Sequence, residues 1–178
     1  MLKAINVRVN STRRQYNWLR EELGYPLPGL STLQKWLADL ELRPGDWERQ
    51  MALLALMMEP LSERDRTCVL MMDEMDVMST MSYDIQGDQM MGPHQKVQVY
   101  LAGGLFSSWK IPVMYEFDGA VQPETLHQLI MAMELAGARV VATVSDMGGS
   151  NQGLWGRLGI SHTGATSFTN PADSSRQV

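Results

Sequence analysis

Two short runs carry the residues best suited to chemistry. "LMMDEMDVMSTM" (70–81) sets Asp73, Glu74 and Asp76 among methionines and other apolar residues, and "RVVATVSD" (139–146) closes an apolar run on Asp146. A buried charge is costly unless it is paired or bound to a metal. An acid at the close of a core-like run therefore marks where the strand leaves the core. In an open α/β sheet that place is the ligand crevice, outside the carboxyl ends of the strands. If the two runs are neighbouring strands, Asp73 and Asp146 face one site. Two or three such carboxylates can hold a pair of Mg2+ (or Mn2+) ions about 3.5–4 Å apart, which clamp the attacking and leaving oxygens of a phosphodiester. Mg2+ suits this chemistry because it takes oxygen ligands and keeps waters.

Alternation along a strand sends Glu74 to the face opposite Asp73, and Asp76 is expected beyond the strand end, in solvent. A strand-end aspartate can equally sit in a local hydrogen-bond network, cap a helix or bind a substrate in hydrolases, kinases and dehydrogenases. The "GGSN" turn after Asp146 could cradle a phosphate, but it lacks the spacing of either glycine-rich nucleotide fingerprint. No nucleophile elbow or P-loop is present, which argues against an unrelated hydrolase or kinase-like enzyme.

The 15 methionines are unusual for 178 residues. Spaced methionines can bind Cu(I), but here they flank hard carboxylates with no Cys or His among them, so they read as core filler. A single cysteine, Cys68, excludes an internal disulfide framework, and the three histidines (His94, His127, His162) are too scattered for a structural zinc site. No apolar stretch approaches the roughly 20 residues that span a bilayer, so no membrane partner is expected. The net charge of −5 is unevenly spread: Lys3, Arg8, Arg13, Arg14 and Arg20 precede the first acid, and residues 67–178 are acidic overall. A basic arm on an acidic body suits a DNA partner reached through the arm, with Arg13, Arg14, Arg20 and Lys35 as candidate contacts. A solvated terminus would look the same.

The elements that must position these residues follow from periodicity. Helices are expected over 12–24, over 32–40 with Ser31 as N-cap, and over 47–58, with "YPLPGL" and "RPGD" as breaks. The first two form a helix-turn-helix-like pair, or a small bundle. From Thr67 the pattern turns to strands over 67–75, 81–85, 96–108, 110–117 and 139–146, with a loop over 86–94. A helix from Pro123 to Gly137 and a short one over 151–159 complete the order. The tail "TNPADSSRQV" reads as polar, without a closing element. The expected architecture is a mixed α/β sheet (63–178) behind an all-helical segment (1–62).

Read together and in order, "YNWLREELGYPLPGLSTLQKWL", "LMMDEM", "SSWKIPVMYEF" and "VVATVSDMGGSNQGLWGRLGI" resemble P-element-type transposases, the group that includes the THAP-domain transposases. The resemblance runs from about residue 14 to the end. It implies a helix-turn-helix segment followed by the first part of an RNase H-like catalytic domain, which cuts and joins DNA with three acids and divalent metal. Its first acid maps onto Asp73 and its second onto Asp146. It further implies DNA as partner, a homo-oligomer in the complete protein and a nuclear location. The family's zinc-coordinating N-terminal domain, GTP-binding insertion and downstream third acid have no counterpart here, and neither Glu116 nor Glu124 matches the third role. The chain is therefore expected to be a fragment and a poor nuclease alone. The alternative is an inactive remnant kept for DNA binding or dimer contacts.

Overall fold

The structure is a computed structural model that describes residues 4, 7–8, 11–38, 43–85 and 87–178, the side chains of 36–38 excepted. It divides into two compact units, Met1–Glu41 and Leu42–Val178.

The first unit holds two helices, α1 (Arg13–Glu21) and α2 (Leu30–Ala38). Thr12 caps α1 through a capping box with Gln15: the Gln15 N–H donates to Thr12 Oγ1 and the Thr12 N–H to Gln15 Oε1. Tyr16 and Leu33 are buried with Ala4 at the centre of this unit. Tyr16 is fixed further by its hydroxyl, which donates to the Pro28 carbonyl at 2.9 Å. Helix α2 starts at Leu30, so Ser31 lies inside its first turn and does not cap it. The sequence periodicity places Leu33, Trp36, Leu37 and Leu40 on one face of this helix, and the last three lie outside the described side chains.

The second unit begins with α3 (Glu48–Met58) and continues into β1 (Thr67–Asp76), β2 (Ser82–Asp84), β3 (Gln89–Met91), β4 (Lys96–Gly104), β5 (Lys110–Phe117), α4 (Pro123–Leu135), β6 (Arg139–Val144) and α5 (Gly149–Arg157). The main sheet has the order β5-β4-β1-β6. β1 runs antiparallel to β4 and parallel to β6, which makes it a central strand and explains its continuous apolar sequence. On one face, Cys68, Leu70 and Met72 of β1 join Tyr100, Ala102, Ile111, Val113 and Val140 in the core. Helices cover that face. Met51, Leu54 and Met58 of α3 fall at i, i+3, i+7, and Leu126, Leu129, Ile130 and Met133 of α4 at i, i+3, i+4, i+7.

The two compact units divide between Glu41 and Leu42, and α3 gives its apolar stripe to the sheet's core. Two expectations change here. The span 86–94 is not all loop: Gln89–Met91 forms β3, a hairpin partner of β2. The tail does close. Phe168 and Val178 exchange both backbone hydrogen bonds (3.0 and 2.9 Å), and both side chains enter the core.

The start of β4 is tied to the end of β5 by Asp118. Its carboxylate accepts from the backbone N–H of Lys96 (3.0 Å) and Gln95 (2.8 Å) and meets His94 Nδ1 at 2.8 Å. These bonds favour the charged form and hold Asp118 down to about 2, with the backbone bond from Lys96 the largest cause. The folded pKa lies below the ordinary 3.8, so the stabilisation is complete above that value and is lost as pH falls through about 2. Between pH 4 and 2 the melting temperature of the wild type should therefore fall more steeply than that of Asp118→Ala, the two curves converging at the acid end. Parallel curves in a circular-dichroism melting series would contradict the clamp.

Candidate functional site

Asp73 owes its exposure to the strand's alternation. Met72 points into the core at 2% exposure, so its neighbour must emerge on the other face. There Asp73 lines a cleft of about 390 Å3 with Met71, Met75, Val99 and Leu101. The Asp73 backbone is fixed by the buried Gln98, whose Nε2 donates to the Asp73 carbonyl at 3.0 Å. Among the described residues its carboxylate accepts from the Glu74 N–H, at 3.0 Å. Glu74 is turned away and ion-paired with Lys96, whose pKa is raised by that bond. Asp76 is exposed but does not lie past the strand: it is the last residue of β1 and pairs with Lys96.

Asp73 is accordingly not at the end of β1. It stands where the parallel neighbour β6 stops, because the last paired positions of β1 and β6 are Met71 and Val144. β6 ends at Val144, two residues short of the expected Asp146. Asp73 and Asp146 thus each lie two residues past the same pair, at the carboxyl side of adjacent parallel strands spaced about 4.8 Å apart. Both are exposed. The structure brings these two predicted residues to one edge.

Asp146 is more tightly held than Asp73. Its Oδ1 accepts from the Gly148 N–H at 3.1 Å and from Asn151 Nδ2 at 2.6 Å. Asn151 lies in the first turn of α5 and is only 2% exposed. Gly148 is the N-cap of α5 and makes no side-chain cap, so the Asp146 carboxylate supplies negative charge to that helix terminus. A Cβ at Gly148 would lie 3.2 Å from Asp146 Oδ1, which leaves little room for any larger residue. The preceding Ser145 is anchored by Trp155, whose Nε1 donates to its hydroxyl at 3.2 Å. Sequence reading missed Asn151 and Gly148 as supports. The signal was their place in "SDMGGSN", five and two residues past the acid.

The donor set fits a divalent ion of the Mg2+ or Mn2+ type in part: two hard carboxylates at one level of the sheet. Among the described residues no group of three or more His, Cys, Asp or Glu could hold a metal. Glu116 is engaged elsewhere, accepting from the Tyr100 hydroxyl at 2.7 Å, and Glu124 sits in the first turn of α4. Tyr100, buried and bonded to Glu116, has its pKa pushed up by burial and then by that bond.

The basic candidates belong to the other unit. Arg13 and Arg14 open α1 and are exposed, Lys35 is exposed on α2, and Arg20 is half-buried with a guanidinium bonded to Glu21. Two cations in the first turn of a helix oppose its dipole, at a cost of about 0.3–1 kcal/mol each.

Comparison with known proteins covers both units. Residues 42–159 match the family model "TNP-like, RNase H N-terminal domain", whose start coincides with that of the second unit. The chain is 37% identical over 165 residues to the transposable element P transposase of Drosophila melanogaster, an alignment covering 93% of this chain and 21% of that protein. It thus spans about a fifth of the length of that curated relative. Among solved structures it is similar to the Drosophila P element transposase strand transfer complex, with a TM-score of 0.79 and 36% identity over 98% of this chain and 38% of that one.

Proposed function

The chain belongs to the TNP-like RNase H N-terminal domain family, a segment of P element-type transposases with an RNase H-like mixed sheet, and from that membership we propose that Asp73 and Asp146 are two of the metal-binding acids of a DNA cleavage and strand-transfer site. The observation that carries this reading is the shared register: each acid lies two residues beyond the pair Met71 and Val144 on adjacent parallel strands. Mg2+, when bound, would supply Lewis-acid stabilisation of the charge that develops on phosphodiester oxygens. The chain's own part is to orient the carboxylates. Asp73 is set by the pleat of a strand whose other face is locked in the core, and Asp146 by Gly148 and Asn151 at the mouth of α5. Met71, Val99 and Leu101 form the apolar walls of the cleft beside Asp73.

No third acid joins the pair among the described residues, so the proposed activity is that of a complete transposase to which this segment contributes two ligands. Arg13, Arg14 and Lys35 are the proposed DNA contacts. The cations that work against the α1 dipole gain a favourable partner in phosphate. Chromosomal DNA as substrate makes the nucleus the proposed place of action, with the complete protein acting as a homo-oligomer.

Manganese titration of the 15N-labelled chain tests the metal site. Mn2+ should broaden the amide resonances around residues 72–74 and 145–148 first, and Asp73→Asn or Asp146→Asn should remove that selectivity. Broadening that follows the surface acids at large, unaltered in both variants, would sink the metal reading and leave the binding-remnant alternative.

A further inference from the structure

Asn151 is a buried polar residue whose side chain bonds directly to the proposed site. It is 2% exposed, its Nδ2 donates to Asp146 Oδ1 at 2.6 Å, and its own Oδ1 is buried without a hydrogen-bond partner. The amide cannot be turned to relieve that oxygen, because the carboxylate requires an N–H donor. A leucine of nearly the same shape would fill the space with no orphaned acceptor. Among the described residues, the hydrogen bond that the side-chain amide makes is the one to Asp146.

We propose that Asn151 is a positioning residue that presents Asp146 Oδ2 to the metal. The two donors, Asn151 Nδ2 and the Gly148 N–H, both land on Oδ1. Oδ2 is then the oxygen left for a ligand, and the carboxylate's torsions are set before any ion arrives. Asn151 sits in the first turn of α5, three residues before Leu154, which is fully buried in the core. Trp155 reaches back from the same helix to Ser145, so the backbone on which Asp146 stands and the amide that holds its side chain are fixed by one element. Glu74 shows the contrast, since the exposed Lys96 that engages it lies on the face away from the cleft. This inference rests on the metal reading above.

The full chain tests it, with Mn2+ alone as the probe and with Asn151→Leu, Asp146→Asn and wild type compared by Mn2+ line broadening and thermal melting. Loss of an outer-shell hydrogen bond to a metal ligand typically weakens metal affinity about 10–100-fold. Asn151→Leu should show a loss of that order, with a melting temperature equal to or above the wild type, because the unpartnered acceptor is gone. The Asn151 side-chain amide resonance should also be well separated and should move in Asp146→Asn. A merely structural asparagine gives the opposite pattern: a lower melting temperature with unchanged Mn2+ affinity. That result, with Asp146→Asn still losing the ion, overturns the positioning role while the metal pair stands. If Asp146→Asn binds Mn2+ as the wild type does, the metal pair fails and the positioning role falls with it. Should the leucine variant not fold, Asn151→Ala removes the same donor without adding bulk, and unchanged affinity there overturns the proposal equally.

Discussion

Exchanging Asp146 for asparagine, in a chimaera where this chain replaces the matching segment of the Drosophila melanogaster P transposase, is expected to lower strand cleavage about a thousandfold. Asparagine keeps the shape of the side chain, and its carbonyl oxygen can still accept from Gly148 and Asn151. The fold is therefore retained and only the charge offered to a cation is lost. Asp73→Asn should do the same, since the two acids stand at one level of neighbouring strands. The double variant should be scarcely worse than either single one, because groups that act as a unit do not add. DNA affinity should survive, as the proposed contacts Arg13, Arg14 and Lys35 lie in the separate Met1–Glu41 unit. Gel assays of cleavage and of binding on the same substrate separate the two effects. Near-normal cutting by either single variant would reject the assignment.

A loss of about 3 kcal/mol in unfolding free energy is expected for Glu134→Ala, for reasons unconnected with chemistry. Glu134 lies at the end of α4, and its side chain is 13% exposed. Its Oε1 accepts from the Val140 N–H at 3.0 Å and from Asn170 Nδ2 at 2.9 Å, and its Oε2 from Arg176 Nη2 at 2.6 Å. One carboxylate thus joins the helix, the first residues of β6 and the closing tail. Arg176 is held on its other side by Asp173, which hydrogen bonds from Ser175 and Arg176 bring down to about 2. Truncation at Glu134 would strand the amide of the 1%-exposed Asn170 and leave Asp173 as the carboxylate still holding the largely enclosed Arg176. Glu134→Gln, which keeps an acceptor but not the charge, should cost clearly less. Urea denaturation of both variants measures the difference, and a shift in Glu134→Ala under about 0.5 kcal/mol, the range of an ordinary surface change, would show that the tail is not pinned there. The same carboxylate reinforces burial at Cys68, whose thiol is pushed up to about 12 by enclosure first and by Glu134 second. That thiol is therefore inert in the folded state.

The two proposed acids were legible because strands leave a local trace. A buried central strand reads as an unbroken apolar run, and an acid that ends its buried stretch is visible without any knowledge of neighbours. Asp73 and Asp146 were both found that way, and the 3.6-residue period likewise gave the helices with their buried faces at Leu126, Leu129, Ile130 and Met133. The family resemblance agreed on the same two acids. Boundaries were less legible. β6 stops at Val144 and β1 runs on to Asp76, because strand ends depend on whether a partner continues to pair, which is not a property of the segment itself.

What the sequence determined alone was therefore the type of each main element, the mixed α/β class and the choice of the two proposed acids. Their adjacency was decided only in three dimensions, by the parallel pairing of segments some seventy residues apart in the chain. So were the supports. Asn151 and Gly148 find Asp146 only once α5 turns back over the strand end. Glu134 looks like one more residue of an apolar helix until Asn170 and Arg176 close on it. α3, which reads as the third helix of a helical segment, belongs instead to the sheet that buries its methionines. Periodicity records which face of an element is apolar, because that depends on residue spacing alone. It does not record which surface that face meets, because burial is satisfied by any apolar partner and the choice is made by the whole chain.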